Sequence, residues 1–563
     1  MTTDICYGAI CFFHLNPSEP KFFGFSEFLT GLALMVLAWT IGDVRYRFRI
    51  KAAPAPLLAA TYFIVCGVGF LTLVTDLWRA QGWLVPEGNI LSPALWQALL
   101  AGIFLLTFLT WAWFAFIRPP KFGRSNAERF AQTLYRHIVK GDPAELSVIA
   151  DELASSAKAL VRYAPDKYRP GKQANELPEG KAPQRLTNTE GYAHDLLLLI
   201  ADMRLCRAIV DSSPITALAI FEEINDQGKY GIAIQTFAKN IVREALSNPN
   251  SFLYHETDAY ESGLIGHLRP LSQAMFSNPK AIESIDSLLN PDLLGQRKWS
   301  ATQWGAYCRI VLIAIQGYAD AKILTYSRPL RRATTYLTSA TSDLHTVNGL
   351  VNSYESNPVQ KLQALINFTK ELVKILDEHS TPQHVNLRIK VPHGHPYESI
   401  YDDVASILFE TIHHASSVKS PWWDCWSIQH NMLWGELQDA LAGPAGRTIR
   451  HKLHRIIYSE VIQMEKLPNF KSSRILAFCL NVLGLTVHKG DFQKDCRPLH
   501  KAILAWTKRN YSKLHTDNPR VAEACLPERI TYDVDSNQLV KTYPAEGLRN
   551  ESKLVYLQLD PPS

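Results

Sequence analysis

The sequence has little net charge of either sign. Its 563 residues include 58 lysines and arginines and 53 aspartates and glutamates, which gives a formal charge of +5. Nucleic-acid binding depends on phosphate neutralisation, so this small excess gives the whole molecule no special attraction for nucleic acid. With 47% hydrophobic residues, the chain is also not a disordered polyelectrolyte. Its length predicts about three to four domain-sized units.

Cysteine is scarce and scattered. The nine cysteines include no C-x-x-C pair and no zinc-ribbon spacing, which argues against the common structural zinc modules. We expect most of them to be buried, reduced thiols. Cys6 and Cys11 are the exception, because the topology given below places them outside the membrane, where a disulfide can persist.

Nucleotide and hydrolase motifs are missing as well. No G-x-G-x-x-G opens a strand-to-helix unit, and no G-x-S-x-G elbow supplies a nucleophile. The glycine-containing run 443–448 lacks the Gly-Lys-Ser/Thr ending of a Walker A loop. It offers either a phosphate cradle at a helix start or, as we favour, a helix–helix turn.

Histidines are plentiful, but their spacing does not define a metal site. Eight of them lie between His384 and His454. Glu410-x-x-His413, with His414 beside it, has one carboxylate and two imidazoles, yet a bundle di-iron site needs a second such pair. The His255-Glu256 pair lacks the second histidine of a zinc protease helix. We therefore predict no metal and no cofactor.

Long apolar runs are concentrated in the first fifth of the chain. Residues 22–41, 55–75 and 94–117 each reach the roughly 20 residues that a helix needs to cross a bilayer core about 30 Å thick. Glu27 and Gln97 are the obvious polar residues within these runs, which makes them candidate intramembrane polar sites. We predict a three-helix transmembrane region over 22–117. The alternative is three buried core helices of a soluble protein.

The charge pattern predicts the orientation of these helices. Basic residues cluster in the first connection and after the third run, whereas the second connection has only Arg79. Since cytoplasmic loops carry an excess of lysine and arginine, we expect residues 1–21 to be extracytoplasmic and the C-terminus cytoplasmic, in the inner membrane if the protein is prokaryotic. The basic residues concerned are Arg45, Arg47, Arg49, Lys51, Arg118, Lys121 and Arg124.

The remainder of the chain has a helical pattern. We predict a juxtamembrane helical segment over 118–164, a proline-rich loop or linker over 165–187, and an all-α cytoplasmic domain of helical hairpins or solenoid-like repeats over 188–520. Asp142-Pro143 is the clearest helix start. Residues 521–563 form a C-terminal tail with short strands. The predicted fold class is therefore mainly α with a small C-terminal β element.

Two groups of residues are candidate sites. Basic clusters on predicted helices could bind an anion, although solvated helix faces have the same composition. A polar cluster could supply acid–base pairs, although surface hydrogen bonding is the simpler interpretation. The anion-binding candidates are Arg328, Arg331, Arg332, Arg447, Arg450, Lys452 and Arg455, and the polar cluster is His255, Glu256, Asp258, Glu261 and His267.

The general plan resembles that of several bacterial membrane-anchored sensors and effectors, some of them in phage defence, but the resemblance is architectural only. We predict a membrane-anchored helical sensor, scaffold or effector that binds a protein partner or signal and relays it to the lipid bilayer, with homo-oligomer formation left open. We lean against an enzyme. The alternatives are a membrane-tethered enzyme or nucleotide-binding receptor using residues 384–455, and an oligomeric channel component. Nucleic acid and nucleotides are less favoured partners than protein.

Overall fold

The computed structural model describes residues 5–7, 10–15, 21–41, 43–86, 92–166, 187–256, 270–290, 298–323, 327–379, 399–487, 491–543, 545 and 551–561. The chain divides into two compact units, Met1–Ile241 and Val242–Ser563. No sequence feature predicted a division at this point, which lies within a helix. Each unit is described by itself.

The first unit contains a small sheet and a series of helices. Its strands are β1 (Ile5–Tyr7), β2 (Ile10–His14) and β3 (Leu84–Pro86). Its helices are α1 (Phe25–Ile41), α2 (Val44–Lys51), α3 (Leu57–Ala80), α4 (Pro93–Ala112) with a π-helical turn at Trp113–Ile117, α5 (Ala127–Lys140), α6 (Pro143–Tyr163), α7 (Asn188–Leu199), α8 (Met203–Ser212), α9 (Pro214–Gln227) and the start of α10 (Gln235–Ser247).

The second unit is helical until its C-terminal sheet. The helices are α11 (Phe252–His255), α12 (Leu271–Phe276), α13 (Pro279–Ser284), α14 (Ala301–Asp320), α15 (Arg328–Thr338), α16 (Asn357–His379), α17 (Ile400–Ala415), α18 (Trp422–Trp426), α19 (Glu436–Ala440), α20 (Pro444–Gln463), α21 (Phe470–Leu483), α22 (Arg497–Asp517) and α23 (Pro519–Ala524). A π-helical segment, Ser427–Gly435, joins α18 to α19. The strands are β4 (Ile530–Asp533), β5 (Gln538–Tyr543) and β6 (Lys553–Gln558).

Helix starts follow the predicted capping signals. The Asp142 carboxylate accepts a hydrogen bond from the Glu145 amide at 2.7 Å, and Pro143 occupies the first turn of α6. Because a capping acceptor satisfies an otherwise unpaired amide, this start is fixed by local chemistry. The prediction of a mainly helical chain with a C-terminal sheet is confirmed, whereas a solenoid arrangement stays a prediction. Most of the predicted linker, 167–186, lies outside the described residues.

The C-terminal sheet is antiparallel and ordered β4-β5-β6. Lys541 on β5 is buried, and its ammonium donates to the Asn481 carbonyl at 2.9 Å near the end of α21. Burial lowers the pKa of Lys541 to about 8. A lysine at a helix C-terminus satisfies unpaired carbonyls, so this residue attaches the sheet to the helices of the second unit.

The N-terminal sheet is also antiparallel, with order β1-β2-β3. Cys6 and Cys11 occupy directly opposite backbone positions on β1 and β2, but their side chains lie outside the described part of the structure. The other seven cysteines form no disulfide in the part of the chain that the structure describes. Six of these are buried, as predicted, and Cys66 on α3 is exposed.

The prediction of three membrane spans is confirmed only in part. Two helical segments, Leu57–Ala80 and Pro93–Ile117, are long and apolar enough to cross a membrane. The first predicted span is shorter than its apolar run, because α1 begins only at Phe25 and has 17 residues. At about 1.5 Å per residue, it is about 25 Å long, which is less than a bilayer core.

Side-chain acceptors explain why α1 begins late. The Gln97 side-chain carbonyl accepts from the Phe22 amide at 3.0 Å, so this amide is held outside the helix. Glu27 then accepts from the Gly24 amide at 2.9 Å, and Asp76 accepts from the Phe25 amide at 3.0 Å. These contacts satisfy the unpaired amides of a helix N-terminus.

The apolar surface of the two longer helices is largely uncovered. In the apolar 18-residue stretch of each helix, only 33% is buried within the protein for α3 and only 17% for the segment Pro93–Ile117. Large exposed side chains include Phe63 and Phe70 on α3 and Leu106 on α4. Since a core helix of a soluble protein is mostly buried, this exposure weakens the alternative of three soluble core helices.

Candidate functional site

Three of the predicted anion-binding arginines line one cavity in the second unit. Arg447, Arg450 and Arg455 project from α20, together with His451, His454 and Tyr458. The opposite wall consists of Pro498, Leu499 and Ala502 on α22, with Asp495 from the preceding turn. The cavity has a volume of about 370 Å³. We call it the α20–α22 pocket.

The spacing of these residues explains why they share a face. Residues three or four apart lie one above another on a helix. Each α20 residue that lines the pocket has another lining residue three positions away along the helix. Ile449, Leu453 and Ile457 are buried and cover the core side of the same helix. The polar face is therefore fixed by the packing of the apolar one.

The start of α20 is a packed helix–helix turn, as we favoured. A side chain on Gly446 would overlap the backbone of Leu441, and a side chain on Gly443 would overlap the Asp377 carboxylate. The Asp377 carboxylate also accepts from the Ala445 amide at 2.6 Å. Because a carboxylate already holds this helix N-terminus, the alternative of a phosphate cradle in the run 443–448 is not supported.

The guanidinium groups of the pocket differ in how deeply they are buried. Arg450 is buried and pairs with Asp495, with 2.5 Å between Nη2 and the carboxylate oxygen. Arg447 is exposed and Arg455 is partly buried. The residues that line the pocket thus include three guanidinium groups and one carboxylate, and this composition favours anions.

The two histidines of the pocket contribute little of this charge. His454 stacks on Trp434 with ring centroids 6.2 Å apart. Burial, reinforced by Arg450, lowers the pKa of His454 to about 4. Burial and the neighbouring Arg455 also lower the pKa of His451. Neutral imidazoles can hydrogen-bond to a ligand without adding charge at neutral pH.

The remaining basic candidates do not join this pocket. Lys452 points to α17, where its ammonium pairs with Asp402 at 2.6 Å. Arg332 forms an ion pair with Asp286 in the turn Asp286–Leu288. Arg328 is exposed, and both it and Arg331 belong to α15. The seven candidates therefore do not form one site.

The predicted polar cluster has a structural role where it is described. The Glu256 carboxylate accepts from the Leu271 amide at 2.7 Å and the Ser272 amide at 3.0 Å, at the start of α12. His255 is exposed at the end of α11. Because Glu256 is engaged in capping, we infer no acid–base site from these two residues. Asp258, Glu261 and His267 lie outside the described residues.

The two polar residues of the apolar runs also have local partners. Glu27 and Gln97 both accept backbone amides at the start of α1. They therefore lie at one end of the helices rather than halfway along them. In the part of the chain that the structure describes, neither residue is placed as an ion ligand in the middle of a span.

Glu410, His413 and His414 bring one carboxylate and two imidazoles within 4.8 Å of one another. Lys471 donates to Glu410 at 2.7 Å. His413, whose Nδ1 lies 3.6 Å from the Glu410 carboxylate, and the Lys471 ammonium together lower the pKa of Glu410 to about 2. A metal ion would have to compete with this ammonium for the carboxylate. We therefore interpret the group as an ion-pair cluster.

A second polar feature lies in the first unit, where α2 meets α6. The Arg49 guanidinium donates twice to the Glu152 carboxylate, each time at 2.7 Å, and once to the Ala115 carbonyl at 2.9 Å. Arg45 pairs with Asp151 at 2.8 Å. A bidentate arginine–carboxylate pair fixes orientation as well as distance. We call this arrangement the α2–α6 junction.

Two hydrogen bonds, each between a side chain and a backbone group, reinforce the junction. Asn126, before α5, donates to the Ala52 carbonyl at 2.7 Å, immediately after α2. The Phe122 amide donates to the Ser156 hydroxyl on α6 at 3.1 Å. Directional hydrogen bonds thus join the segment before α5 both to the residue after α2 and to α6. Together with the contact between Arg49 and Ala115, they attach the apolar helices firmly to the polar ones.

Comparison of the sequence with protein-family models and curated proteins, and of the fold with solved structures, finds no match. The chemistry of the described residues therefore has to carry any functional conclusion.

Some residues of these two sites were not predicted as site residues. His451, His454 and Tyr458 share the helical spacing of the arginines, which was a signal available in the sequence. Asp495 and Glu152 are distant in sequence from their partners, and no local pattern connects them. Arg49 was noted only for its contribution to orientation.

Replacing Glu152 by glutamine should destabilise the protein. The Glu152 side chain is only 5% exposed, and its loss leaves the Arg49 charge without its partner, at a cost of about 3 kcal/mol. Thermal unfolding of the detergent-solubilised protein, followed by tryptophan fluorescence, measures this loss. As a control, Asp151→Asn removes a carboxylate that is 51% exposed and should cost less than about 1 kcal/mol. Equal effects of the two variants would contradict the inferred role of the junction.

Acidification should destabilise the second unit through two partly buried histidines, His414 and His454. The pKa of His454 and that of His414 are both lowered to about 4, chiefly by burial, whereas an unfolded histidine has a pKa of about 6.5. Between these values the unfolded chain binds more protons, so stability falls as the pH falls from about 6.5 towards 4. Unfolding midpoints measured between pH 7.5 and 5 should drop less in His414→Phe/His454→Phe than in the wild type. The same pH dependence in both proteins would be the contrary result.

Proposed function

We propose that this protein is a membrane-anchored receptor whose helical bulk binds a small anionic ligand in the α20–α22 pocket. The observation that carries the proposal is the presence of Arg447, Arg450 and Arg455 around one cavity. Anion binding is the chemistry that such a set supplies best, since guanidinium groups pair with phosphate and carboxylate in defined geometry. The proposed anchor consists of α1, α3 and α4.

The anchor is supported by the exposed apolar surface of α3 and α4. A lipid bilayer provides cover for side chains such as Phe63, Phe70 and Leu106, which are exposed in the described structure. Hydrocarbon contact removes their unfavourable hydration. We therefore propose that these two helices span the membrane.

We propose α1 as the third span, because it packs with the other two. Phe28 of α1 packs against Gly69 of α3, and Phe104 of α4 packs against Gly31 of α1. A larger residue at either glycine would overlap the aromatic ring, so small residues here permit close helix packing. The helix is short for a bilayer core, and residues 22–24 before it extend the apolar run.

The proposed orientation places the polar helices in the cytoplasm. The starts of α1 and α4 lie at one end of the bundle, where Gln97 contacts Phe22. At the other end, Arg49 contacts both Ala115 and Glu152. The basic segments and α6 therefore share a side of the apolar helices, and the excess of positive charge favours the cytoplasm for that side.

The alternatives have less support. An ion pathway would need polar groups along the spans, and Glu27 and Gln97 serve instead as backbone acceptors at one end. An enzyme would need a nucleophile or an acid–base pair, and none of the predicted candidates that the structure describes has that arrangement. Relay of a signal to the membrane, homo-oligomer formation and a role in bacterial defence remain predictions from the sequence.

Phosphate binding tests the receptor proposal. Full-length protein in lipid nanodiscs is titrated with inorganic phosphate at constant ionic strength, with the shift in unfolding midpoint as the readout. We expect phosphate to raise the midpoint of the wild type, because binding to the folded state alone stabilises it. Arg447→Met/Arg455→Met should abolish the rise.

Arg509→Met provides the matched control. Arg509 is exposed on α22 and is not among the residues that line the pocket, so its replacement should leave the phosphate effect intact. A phosphate effect that is unchanged in the double variant, or absent from the wild type, would refute anion binding in the pocket.

A further inference from the structure

The Arg450–Asp495 pair is the feature of the α20–α22 pocket that points to its ligand. The Arg450 side chain is only 9% exposed, whereas that of Asp495 is 57% exposed. The cation is thus fixed within the wall, while its carboxylate partner is accessible to solvent. An anion that enters the cavity must therefore compete with the Asp495 carboxylate for the Arg450 guanidinium.

The charge of the lining favours a dianion. Arg447, Arg450 and Arg455 contribute three positive charges and Asp495 one negative charge, and the histidines are neutral because their pKa values are lowered. A phosphomonoester carries a charge of about −1.5 to −2 near neutral pH. It therefore pairs with a lining rich in guanidinium groups more strongly than a monoanion such as acetate.

The rest of the lining is apolar and suits a planar ring. Pro498, Leu499 and Ala502 on α22 form one wall, and Tyr458 on α20 adds an aromatic side chain. Aliphatic and aromatic surfaces of this kind bind nucleobases by contact with the ring face. An inorganic ion alone would leave these surfaces without a partner.

The size of the cavity limits the ligand. Small-molecule pockets occupy about 300–1,000 Å³, and the α20–α22 pocket, at about 370 Å³, is at the lower end of this range. That volume suits a single phosphorylated ring compound. It is small for a dinucleotide, and a polymeric nucleic acid would require a basic surface extending beyond the cavity.

We infer that the α20–α22 pocket binds a nucleoside monophosphate, whose phosphate replaces the Asp495 carboxylate at Arg450 while its base lies against Pro498 and Ala502. The inference rests on the proposed function and names the ligand class of the same site. Asp495 then acts as an internal competitor, which lowers affinity for ligands that are weaker anions. Binding is non-covalent and changes no bond in the ligand.

Isothermal titration of the full-length protein in nanodiscs tests this inference. The probes are adenosine 5′-monophosphate and guanosine 5′-monophosphate, with adenosine, guanosine and inorganic phosphate for comparison. We expect at least one monophosphate to bind about tenfold or more tightly than phosphate, and the nucleosides to bind least, since both parts of the ligand contact the pocket.

Three variants assign the contacts. Arg450→Met should weaken monophosphate binding about tenfold or more, because a charge-assisted contact is lost. Asp495→Asn should tighten it by about threefold to tenfold, because the competing charge is removed while the side chain keeps its shape. Arg509→Met, outside the pocket, should leave the affinity unchanged.

The outcomes separate this inference from the receptor proposal. Phosphate binding that is lost in Arg447→Met/Arg455→Met, with no gain for either monophosphate, would overturn the ligand class and leave anion binding in place. Unchanged or weaker monophosphate binding in Asp495→Asn would overturn the competitor role. Absence of binding by every probe would refute both proposals.

The Asp495→Asn variant also guards against a false result from the Arg450→Met variant, which could lose binding because it unfolds. Arg450→Met removes a buried charge and can destabilise the helices around it. A tighter complex in Asp495→Asn cannot result from loss of folded protein. Unfolding midpoints of all variants without ligand, measured by tryptophan fluorescence, identify any variant whose lost binding reflects unfolding.

Discussion

Apolar side chains on α3 and α4 impose the main constraint on this protein. Both helices are long enough to cross a bilayer, and most of their apolar surface is exposed in the described structure. In water such a surface is unfavourable and promotes association. A lipid environment would relieve this cost, and our proposal of a membrane anchor depends on this argument.

The α2–α6 junction gives the apolar helices a defined attachment to the polar part of the first unit. Arg49 contacts the end of the α4 segment and Glu152 on α6 at once. Because these bonds are directional and largely buried, movement of the apolar helices relative to α6 would break an ion pair. A junction of this kind differs from a simple flexible tether.

Local signals in the sequence predicted much of the fold. Asp142 marks the start of α6 by a capping interaction that involves only its neighbours, and the apolar runs mark α3 and α4 by length alone. The late start of α1 was not predictable in this way, because it depends on the Gln97 side chain 75 residues away from Phe22.

The candidate site shows the same distinction between local and distant interactions. Arg447 and Arg455 share a helix face, and their spacing already favours a common site. Lys452 belongs to the same basic stretch, but the helical rotation turns it to Asp402. Asp495 lines the pocket only because tertiary packing brings the residues before α22 next to α20, and no local sequence pattern indicates this. Likewise, composition made Glu256 a candidate for an acid–base pair, with surface hydrogen bonding as the simpler interpretation, and the fold uses its carboxylate to cap α12.

Membrane fractionation of cells that express the full-length chain tests the central claim most directly. Membranes are washed with alkaline carbonate and then with urea, and the protein is followed in the pellet and in the supernatant after ultracentrifugation. We predict that it stays in the pellet through both washes and is released only by detergent. Recovery of folded protein in the supernatant without detergent would contradict the account.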